Sequence, residues 1–322
     1  MARSASSAAA GGAIAGSDMH VAVVIVGYRN PADIVTCLQT LGRLEHSRFE
    51  VVICENGGAE AYEALVQTLP KTMPGGQAVT VMAAPRNLGY AGGVNFAIEA
   101  APNADAWWVL NPDTEPQPGL LSACLARLAR GDVHAVGCTI YLPNGEVQSH
   151  GGRWRSWLAR AESIGWGEQL GGRVDAASVE AAQSYLNGAC LVVDRTFLEV
   201  VGPMREDYFL YCEEVEWCLR AQARGMKLGF APDGRCLHHA GTTTGSHASL
   251  RDRPKRPVYL DERNKILVTR DCFPRRLPVA IPAALALLVL RFAARGAWRQ
   301  FGYGLEGWWA GIRNQRGPAA FG

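Results

Sequence analysis

The sequence has no large excess of charge of either sign. Its 322 residues include 32 Lys and Arg against 30 Asp and Glu, which gives a formal net charge of +2. Nucleic-acid-binding domains usually carry a strong basic excess, so this balance argues against nucleic acid as the main partner. With 48% apolar and 19% charged residues, the composition is that of a globular protein rather than of a disordered chain.

Paired cysteine motifs are also missing. The nine cysteines are scattered, odd in number and include no CxxC pair. This pattern argues against a disulfide framework and a structural zinc site, and it suits a reducing compartment. We therefore expect a cytoplasmic protein.

No long uninterrupted apolar run is present. The longest, residues 277–290, contains Pro278 and Pro282 and falls short of the roughly 20 apolar residues that a membrane-spanning helix needs. Residues 1–18 are mostly Ala, Ser and Gly and have no continuous apolar segment, so they do not resemble a secretory signal. We predict a disordered tail there and no membrane-spanning helix.

What the sequence does contain is an alternation of strand-like and helix-like segments. Apolar runs predict strands, and helical spacing follows the first and third of them, over residues 33–44 and 91–100. The strand runs lie at residues 21–26, 50–54, 78–83 and 106–110. This alternation predicts an α/β fold with a mostly parallel sheet that is covered by helices on both faces.

The pattern changes near residue 119. The elements predicted beyond it are a helix at 119–130, strands at 133–140 and 185–193, and a helix that begins near residue 212. We interpret residues 19–276 as one domain, with a nucleotide-binding half at 19–115 and a substrate-covering half at 116–276. Residues 277–322, which are apolar and then basic and aromatic, form a separate C-terminal helical segment.

Polar or glycine-rich loops follow all four of the first strands. They contain Tyr28, Glu55, Asn87 with Gly89, and the run Asn111-Pro112-Asp113. Ligands of such sheets bind outside the carboxyl ends of the strands, so these loops are the expected site. The third loop enters a helix that carries Asn95, and a helix N-terminus favours anionic groups. The first strand lacks the GxGxxG motif of a dinucleotide fold.

Two of these loops have a second interpretation. Glu55 can accept hydrogen bonds from a nucleobase or a ribose, or it is an acid facing solvent in a glycine-rich turn. Asp113 can hold Mg2+ or Mn2+ only together with a diphosphate that completes the shell, because one carboxylate is too few ligands. Alternatively, Asn-Pro-Asp is simply a turn.

Glu213 and Glu214 lie near the start of a predicted helix in the segment YFLYCEEVEW. Acids at this position stabilise the helix dipole for purely structural reasons. In an apolar surround, however, one carboxyl of such a pair has a raised pKa, which suits a general base.

His238 and His239 end a short apolar strand. A neutral imidazole can complete the shell of a metal beside a lone Asp. Neighbouring strand residues point to opposite faces, so at most one of the pair reaches the site, and we favour His238. A purely structural role for both is the alternative.

Taken in order, these motifs resemble the family 2 inverting glycosyltransferases with a GT-A fold, and within them the rhamnosyltransferase-like branch. The likeness runs from about residue 21 to 268. The segments that carry it are VAVVIVGYRNPADIVTCLQTL, VVICENGG, PRNLGYAGGVNFAI, WWVLNPDTEPQPGLL, YLNGACLVVDRTFLEVVGP, YFLYCEEVEWCLRAQARGMKLGFAP, LHHAGTTTG and YLDERNKILV.

The resemblance implies roles for individual residues. It makes Glu214 the base with Glu213 beside it, and Asp113 and His238 the ligands of Mg2+ or Mn2+. It places Arg263, in the Arg-Asn pair of the last motif, against phosphate or acceptor. The donor-binding residues that we expect are Tyr28, Glu55, Asn87, Gly89, Asn95, Asn111, Asp113 and Arg263.

The sequence departs from the family pattern at two places. Asn111 stands where many relatives have Asp, which lowers the negative charge of the metal motif. The acidic pair is Glu-Glu rather than Glu-Asp or Asp-Asp, which leaves the base open between Glu213 and Glu214. The QxxRW motif of processive synthases is absent, because His150 occupies the Gln position before Arg153-Trp154.

We therefore expect a non-processive transferase that moves L-rhamnose from dTDP-L-rhamnose to a saccharide or lipid-diphosphate-linked glycan acceptor in cell-surface polysaccharide synthesis. A galactofuranosyl- or UDP-hexose-dependent transferase and a non-catalytic glycan-binding scaffold are the alternatives. The basic and aromatic residues 277–322 suit a peripheral contact with the cytoplasmic face of the inner membrane. Packing on the catalytic domain or on a second subunit of a homodimer is equally compatible with them.

Overall fold

The computed structural model describes residues 16–241, 245, 248–319 and 321. The strands among them are β1 (Val21–Gly27), β2 (Phe49–Glu55), β3 (Val79–Ala83), β4 (Ala106–Leu110), β5 (Thr114–Pro116), β6 (Ala135–Tyr141), β7 (Val147–Ser149), β8 (Gly152–Arg155), β9 (Arg160–Ser163), β10 (Cys190–Asp194) and β11 (Leu228–His238). The helices are α1 (Pro31–Leu41), α2 (Ala59–Thr68), α3 (Gly89–Ala100), α4 (Leu120–Leu128), α5 (Ala176–Ala182), α6 (Arg195–Val201), α7 (Glu213–Ala223), α8 (Lys255–Cys272), α9 (Leu277–Arg291) and α10 (Trp298–Ile312).

The central sheet has a parallel half and a mixed half. Its strand order is β3-β2-β1-β4-β10-β6-β11-β5, and β7 also pairs with β6. The strands β3, β2, β1 and β4 are parallel, as the sequence predicts. In the second half, β10 runs antiparallel to both β4 and β6, and β11 is parallel to β6 but antiparallel to β5. The predicted α/β fold is confirmed.

The alternation of side chains along β1 explains the two hydrophobic cores. Val21, Val23 and Ile25 belong to the core under α1, whereas Ala22 and Val24 belong to the core under α3. Successive side chains of a strand point to opposite faces, so a run that is apolar at every position must be covered on both sides.

Small residues let α3 lie close to the sheet. A Cβ added at Gly93 would lie 2.7 Å from Val26 Cγ1, which is closer than two carbon atoms can approach. The close approach brings the start of α3 to the ends of β1 and β2, where Gly89 adopts a positive φ of 74°. The geometry of this loop therefore depends on glycine at both positions.

Several predicted boundaries shift. α1 begins at Pro31, because proline is well placed in the first turn of a helix. The strand predicted at 185–193 begins only at Cys190, since Asn187 forms a turn before it. In the predicted tail, residues 1–15 lie outside the described part of the chain, and Gly16–Asp18 forms a 3-10 turn rather than a disordered segment.

The C-terminal segment packs on the domain through α8. Added Cβ atoms at Gly307 and Gly311 would lie 2.2 Å from Tyr259 O and 2.7 Å from Arg263 O, so α10 lies directly against the backbone of α8. Docking on the catalytic domain, one of the alternatives for residues 277–322, is therefore what the structure contains.

The prediction about apolar length needs correction. Pro274–Arg295 forms one 22-residue helical stretch that is long and apolar enough to cross a membrane by length and composition. Pro278 stands in the first turn of α9 and Pro282 is accommodated inside the helix, so neither ends it. Only 22% of its most apolar window is buried in the protein.

Candidate active site

A cavity of about 600 Å³ lies where the ends of β1, β2 and β4 meet the loop before α7. This volume is typical of sites for small organic ligands. The cavity brings together most of the residues that the sequence predicts for the site. Those that line it are Tyr28, Asn87, Gly89, Asn111, Asp113, Glu213, Glu214 and His238.

β-Pairing brings Asp113 to His238. Asp113 stands directly before β5, and β5 pairs with β11 so that Thr114 lies opposite His238. The His238 Nε2 atom lies 3.3 Å from Asp113 Oδ1, and both residues are buried. One carboxylate and one imidazole thus share a corner of the cavity, although 125 positions separate them along the chain.

Gln148 on β7 fixes the orientation of the His238 ring. Its side-chain oxygen lies 2.7 Å from His238 Nδ1 and accepts the proton of that nitrogen. Nε2 is then the nitrogen that faces Asp113, which is the arrangement in which an imidazole can serve as a metal ligand. Gln148 also lines the cavity, and no local motif in the sequence identifies it.

His239 points away from this corner. Its Nε2 lies 2.7 Å from Glu115 Oε1, and the residue is exposed. The alternation rule for strand side chains therefore selects His238 from the pair, as predicted.

The acidic pair occupies the first turn of α7 in an apolar surround. Burial, and next the charge of Glu214, raise the pKa of Glu213 well above its ordinary value. Burial raises the pKa of Glu214 to about 7, against the opposing effect of backbone N–H groups at the helix start. Glu214 is half-buried, whereas Glu213 is 2% exposed. A carboxyl with a pKa near neutrality can accept a proton efficiently at pH 7.

Glu55 does not line the cavity, which corrects the predicted nucleoside contact. Its Oε1 accepts hydrogen bonds from the backbone N–H groups of Gly57 at 2.7 Å and Arg29 at 3.1 Å. The carboxylate is 1% exposed and therefore joins the loops after β1 and β2. Glu55 therefore matches neither of its two predicted roles, the acid facing solvent and the contact with a nucleobase or ribose.

Asn56, the next residue, does line the cavity. Its side chain donates to Gly89 O at 2.8 Å and accepts from Leu88 N at 3.1 Å, which holds the entry to α3. Within that loop, Asn87 Oδ1 accepts from Gly89 N at 3.0 Å. The loops after β2 and β3 are thus held by short side-chain-to-backbone bonds.

Asn95 and Arg263, which the sequence predicts to bind the donor, do not line the cavity either. Asn95 is buried in α3, where it donates to Met204 O at 2.9 Å and accepts from Met204 N at 3.0 Å. Arg263 is 1% exposed and donates to Tyr208 O at 2.9 Å and Gly317 O at 2.7 Å. Both side chains point to faces that pack inside the protein, so neither can contact a donor in the cavity.

Other cavity residues escape motif analysis. Arg256 supplies a cation in the first turn of α8, and Tyr90 lines the wall beside Glu214. The Tyr90 hydroxyl donates to Gly188 O at 2.7 Å, which ties the start of α3 to the turn before β10. The sequence signal for Arg256 is the basic cluster RPKRP, which a solvent-facing helix end would equally explain.

The sequence matches the family model described as glycosyl transferase family 2 over residues 22–184, just over half of the chain. It is also 27% identical over 248 residues to the N-acetylglucosaminyl-diphospho-decaprenol L-rhamnosyltransferase of Mycobacterium tuberculosis. That alignment covers 69% of this chain and 77% of the relative.

Solved structures share the fold. The mannosyltransferase PcManGT of Pyrobaculum calidifontis, in complex with GDP-Man and Mn2+, superposes with a TM-score of 0.57 at 18% identity, over 92% of this chain and 88% of that one. GalNAc-T7 with UDP, GalNAc and Mn2+ superposes with a TM-score of 0.59 at 15% identity, over 78% of this chain. The match covers 48% of GalNAc-T7, so this chain spans about half the length of that enzyme. The fold is GT-A, as the sequence predicts.

The chain therefore belongs to glycosyl transferase family 2 and is a glycosyltransferase.

Proposed function

We propose that this enzyme transfers L-rhamnose from dTDP-L-rhamnose to a hydroxyl group of a lipid-diphosphate-linked glycan, in one step and with inversion at the anomeric carbon. The observation that carries the proposal is that Asp113, His238 and Glu214 converge on one cavity. The sugar and the lipid-linked acceptor are suggested by the name of the Mycobacterium tuberculosis relative.

The donor would bind with its diphosphate near Asp113 and His238. These two residues fit a Mg2+ or Mn2+ ion that takes its other ligands from phosphate and water, as such ions commonly do. Among the described residues there is no cluster of three His, Cys, Asp or Glu, so the protein alone offers no closed cage. When bound, the ion would offset the negative charge that grows on the departing diphosphate.

Glu214 is the base in this proposal. It would accept the proton of the acceptor hydroxyl while that oxygen attacks the anomeric carbon from the face opposite the nucleotide diphosphate, which leaves with its bonding electrons. Its pKa of about 7 supports the choice over Glu213, whose more strongly raised pKa keeps it protonated. The Glu213 Oε2 atom is buried and has no hydrogen-bond partner among the described residues, which further disfavours ionisation of this carboxyl.

The exposed surface of the C-terminal segment supports a lipid-linked substrate. The exposed face of α9 is apolar along its whole length. Its residues recur every three or four positions and are Pro278, Val279, Pro282, Ala286, Val289 and Leu290. Exposed Arg275, Arg295 and Arg299 flank this face, and Trp298 is 67% exposed. This composition suits a helix that lies in the interface of an anionic membrane, which we propose to be the cytoplasmic face of the inner membrane.

The start of α8 contacts both the cavity and the C-terminal helices. Arg256 lines the cavity, and the adjacent Lys255 forms an ion pair with Glu306 of α10 at 2.7 Å. Arg251 donates to Arg295 O at the end of the α9 face. We propose that the glycan enters along this side of the protein while its lipid remains in the bilayer.

The test is a thermal-shift panel of dTDP-L-rhamnose, UDP-galactofuranose, UDP-glucose and GDP-mannose with Mg2+. At equal concentrations the donor with the lowest dissociation constant stabilises the folded state most, by about 2.7 kcal/mol at 100 times that constant. We expect dTDP-L-rhamnose to give this largest shift. A larger shift with a UDP-sugar would replace the proposed donor. No shift with any of the four would point to a glycan-binding scaffold instead.

A further inference from the structure

The loop before the acidic pair has an unusual backbone. Phe209, Tyr211 and Cys212 have positive φ angles of 68°, 72° and 66°, and none of them is glycine. Phe209 has a ψ of −55°, and Leu210 N donates to Tyr208 O at 2.9 Å, which makes a γ-turn of the strained type. Such conformations are strained, so other contacts must hold them.

Asn264 in α8 supplies those contacts. Its Nδ2 atom donates to the backbone carbonyls of three loop residues, at 3.0 Å to Tyr208, 2.8 Å to Leu210 and 2.7 Å to Tyr211. Arg263 adds a bond to Tyr208 O and orients the amide by donating to Asn264 Oδ1 at 2.9 Å. The two remaining carbonyls of loop 208–212 are also bonded, Phe209 O to Tyr90 N at 2.7 Å and Cys212 O to Glu216 N at 3.0 Å.

These bonds hold one wall of the cavity. Phe209, Leu210 and Tyr211 line it, and Glu213 and Glu214 follow within two residues of the last strained position. Asn264 itself is 0% exposed and does not line the cavity, so it acts on the site through the loop. A buried amide is costly unless its hydrogen bonds are satisfied, and here the loop carbonyls satisfy them.

We propose that Asn264 is a positioning residue, which holds the strained loop 208–212 in the conformation that presents Glu214 to the acceptor. This inference rests on the proposed role of Glu214 as the base. In this proposal Arg263 and Asn264 of α8 bind the backbone of loop 208–212 and do not contact phosphate.

The test compares Asn264→Ala with Gln183→Ala. Gln183 is also a buried amide that donates to a backbone carbonyl, Leu228 O at 3.0 Å, but that carbonyl belongs neither to loop 208–212 nor to the cavity lining. Turnover is followed as dTDP release from dTDP-L-rhamnose with an N-acetylglucosaminyl diphospholipid as acceptor. A displacement of about 1 Å can cost up to about 100-fold, so kcat of Asn264→Ala should fall between 10- and 100-fold while KM for the donor stays within twofold. Gln183→Ala should keep its kcat.

The pH profile separates positioning from stability. Asn264→Ala changes the charge of none of the titratable groups around Glu214, which are Glu213, Tyr90, Tyr185, Asp261, Cys212 and Cys218. A loosened loop admits water, which brings the pKa of Glu214 down toward its ordinary value. The acid limb of the kcat profile should then move to lower pH. An unchanged limb with unchanged kcat would overturn the proposal.

Hydrogen exchange gives a readout that needs no substrate. In Asn264→Ala the amides of Leu210 and Tyr90 should exchange at least tenfold faster than in wild type, whereas Gln183→Ala should leave them unchanged. Asn264→Ser keeps one hydrogen-bond donor, so its amide exchange rates should lie between those of wild type and Asn264→Ala. If Asn264→Ala does not fold, the exchange rates of Asn264→Ser provide the test. Equal protection of these amides from exchange in all variants would contradict the positioning role of Asn264. An active Glu214→Gln would show that Glu214 is not the base. An inactive Glu214→Gln together with a fully active Asn264→Ala would refute only the positioning role of Asn264.

Discussion

The two sides of the cavity are built differently. The donor side consists of loops that continue straight from buried parallel strands, and short bonds from Glu55 and Asn56 hold them. The acceptor side is a strained loop that leads into two carboxyl groups with raised pKa values. The loops after β1, β2 and β3 contain one non-glycine residue with a positive φ, Arg29 at 56°, whereas loop 208–212 contains three. Strain and desolvation are concentrated where we place the proton transfer, in keeping with the general association of both with functional sites.

Replacing the acceptor-side base should give the largest effect. Glu214→Gln should lower kcat by about 10²- to 10⁴-fold, because the amide cannot take up the proton, while nucleotide affinity changes little. Steady-state kinetics and calorimetric titration with dTDP measure the two quantities.

Glu216→Gln is the matched control on the same helix. Glu216 is paired with Arg220 at 2.9 Å and does not line the cavity, so its loss should lower stability rather than turnover. Substantial turnover in Glu214→Gln would place the base elsewhere.

Substitutions on the donor side should change the affinity for the nucleotide rather than kcat. His238→Ala should weaken the Mn2+-dependent binding of dTDP by about 10- to 100-fold, because one of two protein ligands is lost. His239→Ala is the control, since that neighbouring ring faces Glu115 on the exposed side of the strand. Calorimetry with and without Mn2+ separates the two, and equal losses in both variants would refute the assignment of His238.

The two sides meet at Gly89, and this contact sharpens the comparison. A Cβ at Gly89 would lie 2.2 Å from Phe209 O, so Gly89→Ala should push the acceptor-side loop away and lower kcat by about tenfold or more. Gly145→Ala is the control, because Gly145 has a similar positive φ of 80° with no atom near the added Cβ. Similar kcat losses in both variants would show that backbone strain alone is responsible.

The raised pKa of Glu214 also predicts a pH dependence. Activity should decline as pH falls through about 7, because the base becomes protonated. For stability the sign is opposite. A carboxyl whose pKa is raised in the folded state contributes stability at low pH, which is lost as pH rises through about 7.

Between pH 5 and pH 8, Tm should therefore fall further in wild type than in Glu214→Gln. We expect a difference of at least about 2 °C, which corresponds to about 1 kcal/mol in a chain of this size. Parallel curves of Tm against pH for the two proteins would mean that ionisation of Glu214 does not lower the stability of the folded state.

The smallest effect is expected outside the cavity. Arg295→Gln should weaken binding to anionic vesicles about fivefold, since each basic residue near such a surface contributes about 1 kcal/mol. Arg130→Gln removes the same charge from the exposed end of α4 and should leave vesicle binding unchanged. Sedimentation with phosphatidylglycerol vesicles measures both, and equal binding of Arg295→Gln and wild type would argue against the membrane role of the α9 face.

Sequence reasoning succeeded where local pattern decides structure. The first four strands and the polar residues at their ends follow from apolar runs and their terminating loops, and the choice of His238 over His239 follows from strand alternation. It failed at Glu55, Asn95 and Arg263. Their residue types suit a ligand site, but each side chain points into the protein. It also mistook Pro278 and Pro282 for interruptions of a helix that continues through both.

The sequence by itself determined the family, the α/β fold and the strand ends at which a donor is expected, because these depend on periodicity and short motifs. Only the tertiary structure decided which polar side chains reach the cavity, since this depends on the face that each element buries. It also brought Gln148 to His238 and Asn264 to the strained loop, contacts that join residues 90 and more than 50 positions apart. No local pattern specifies such pairs, because they exist only once the sheet and α8 have packed.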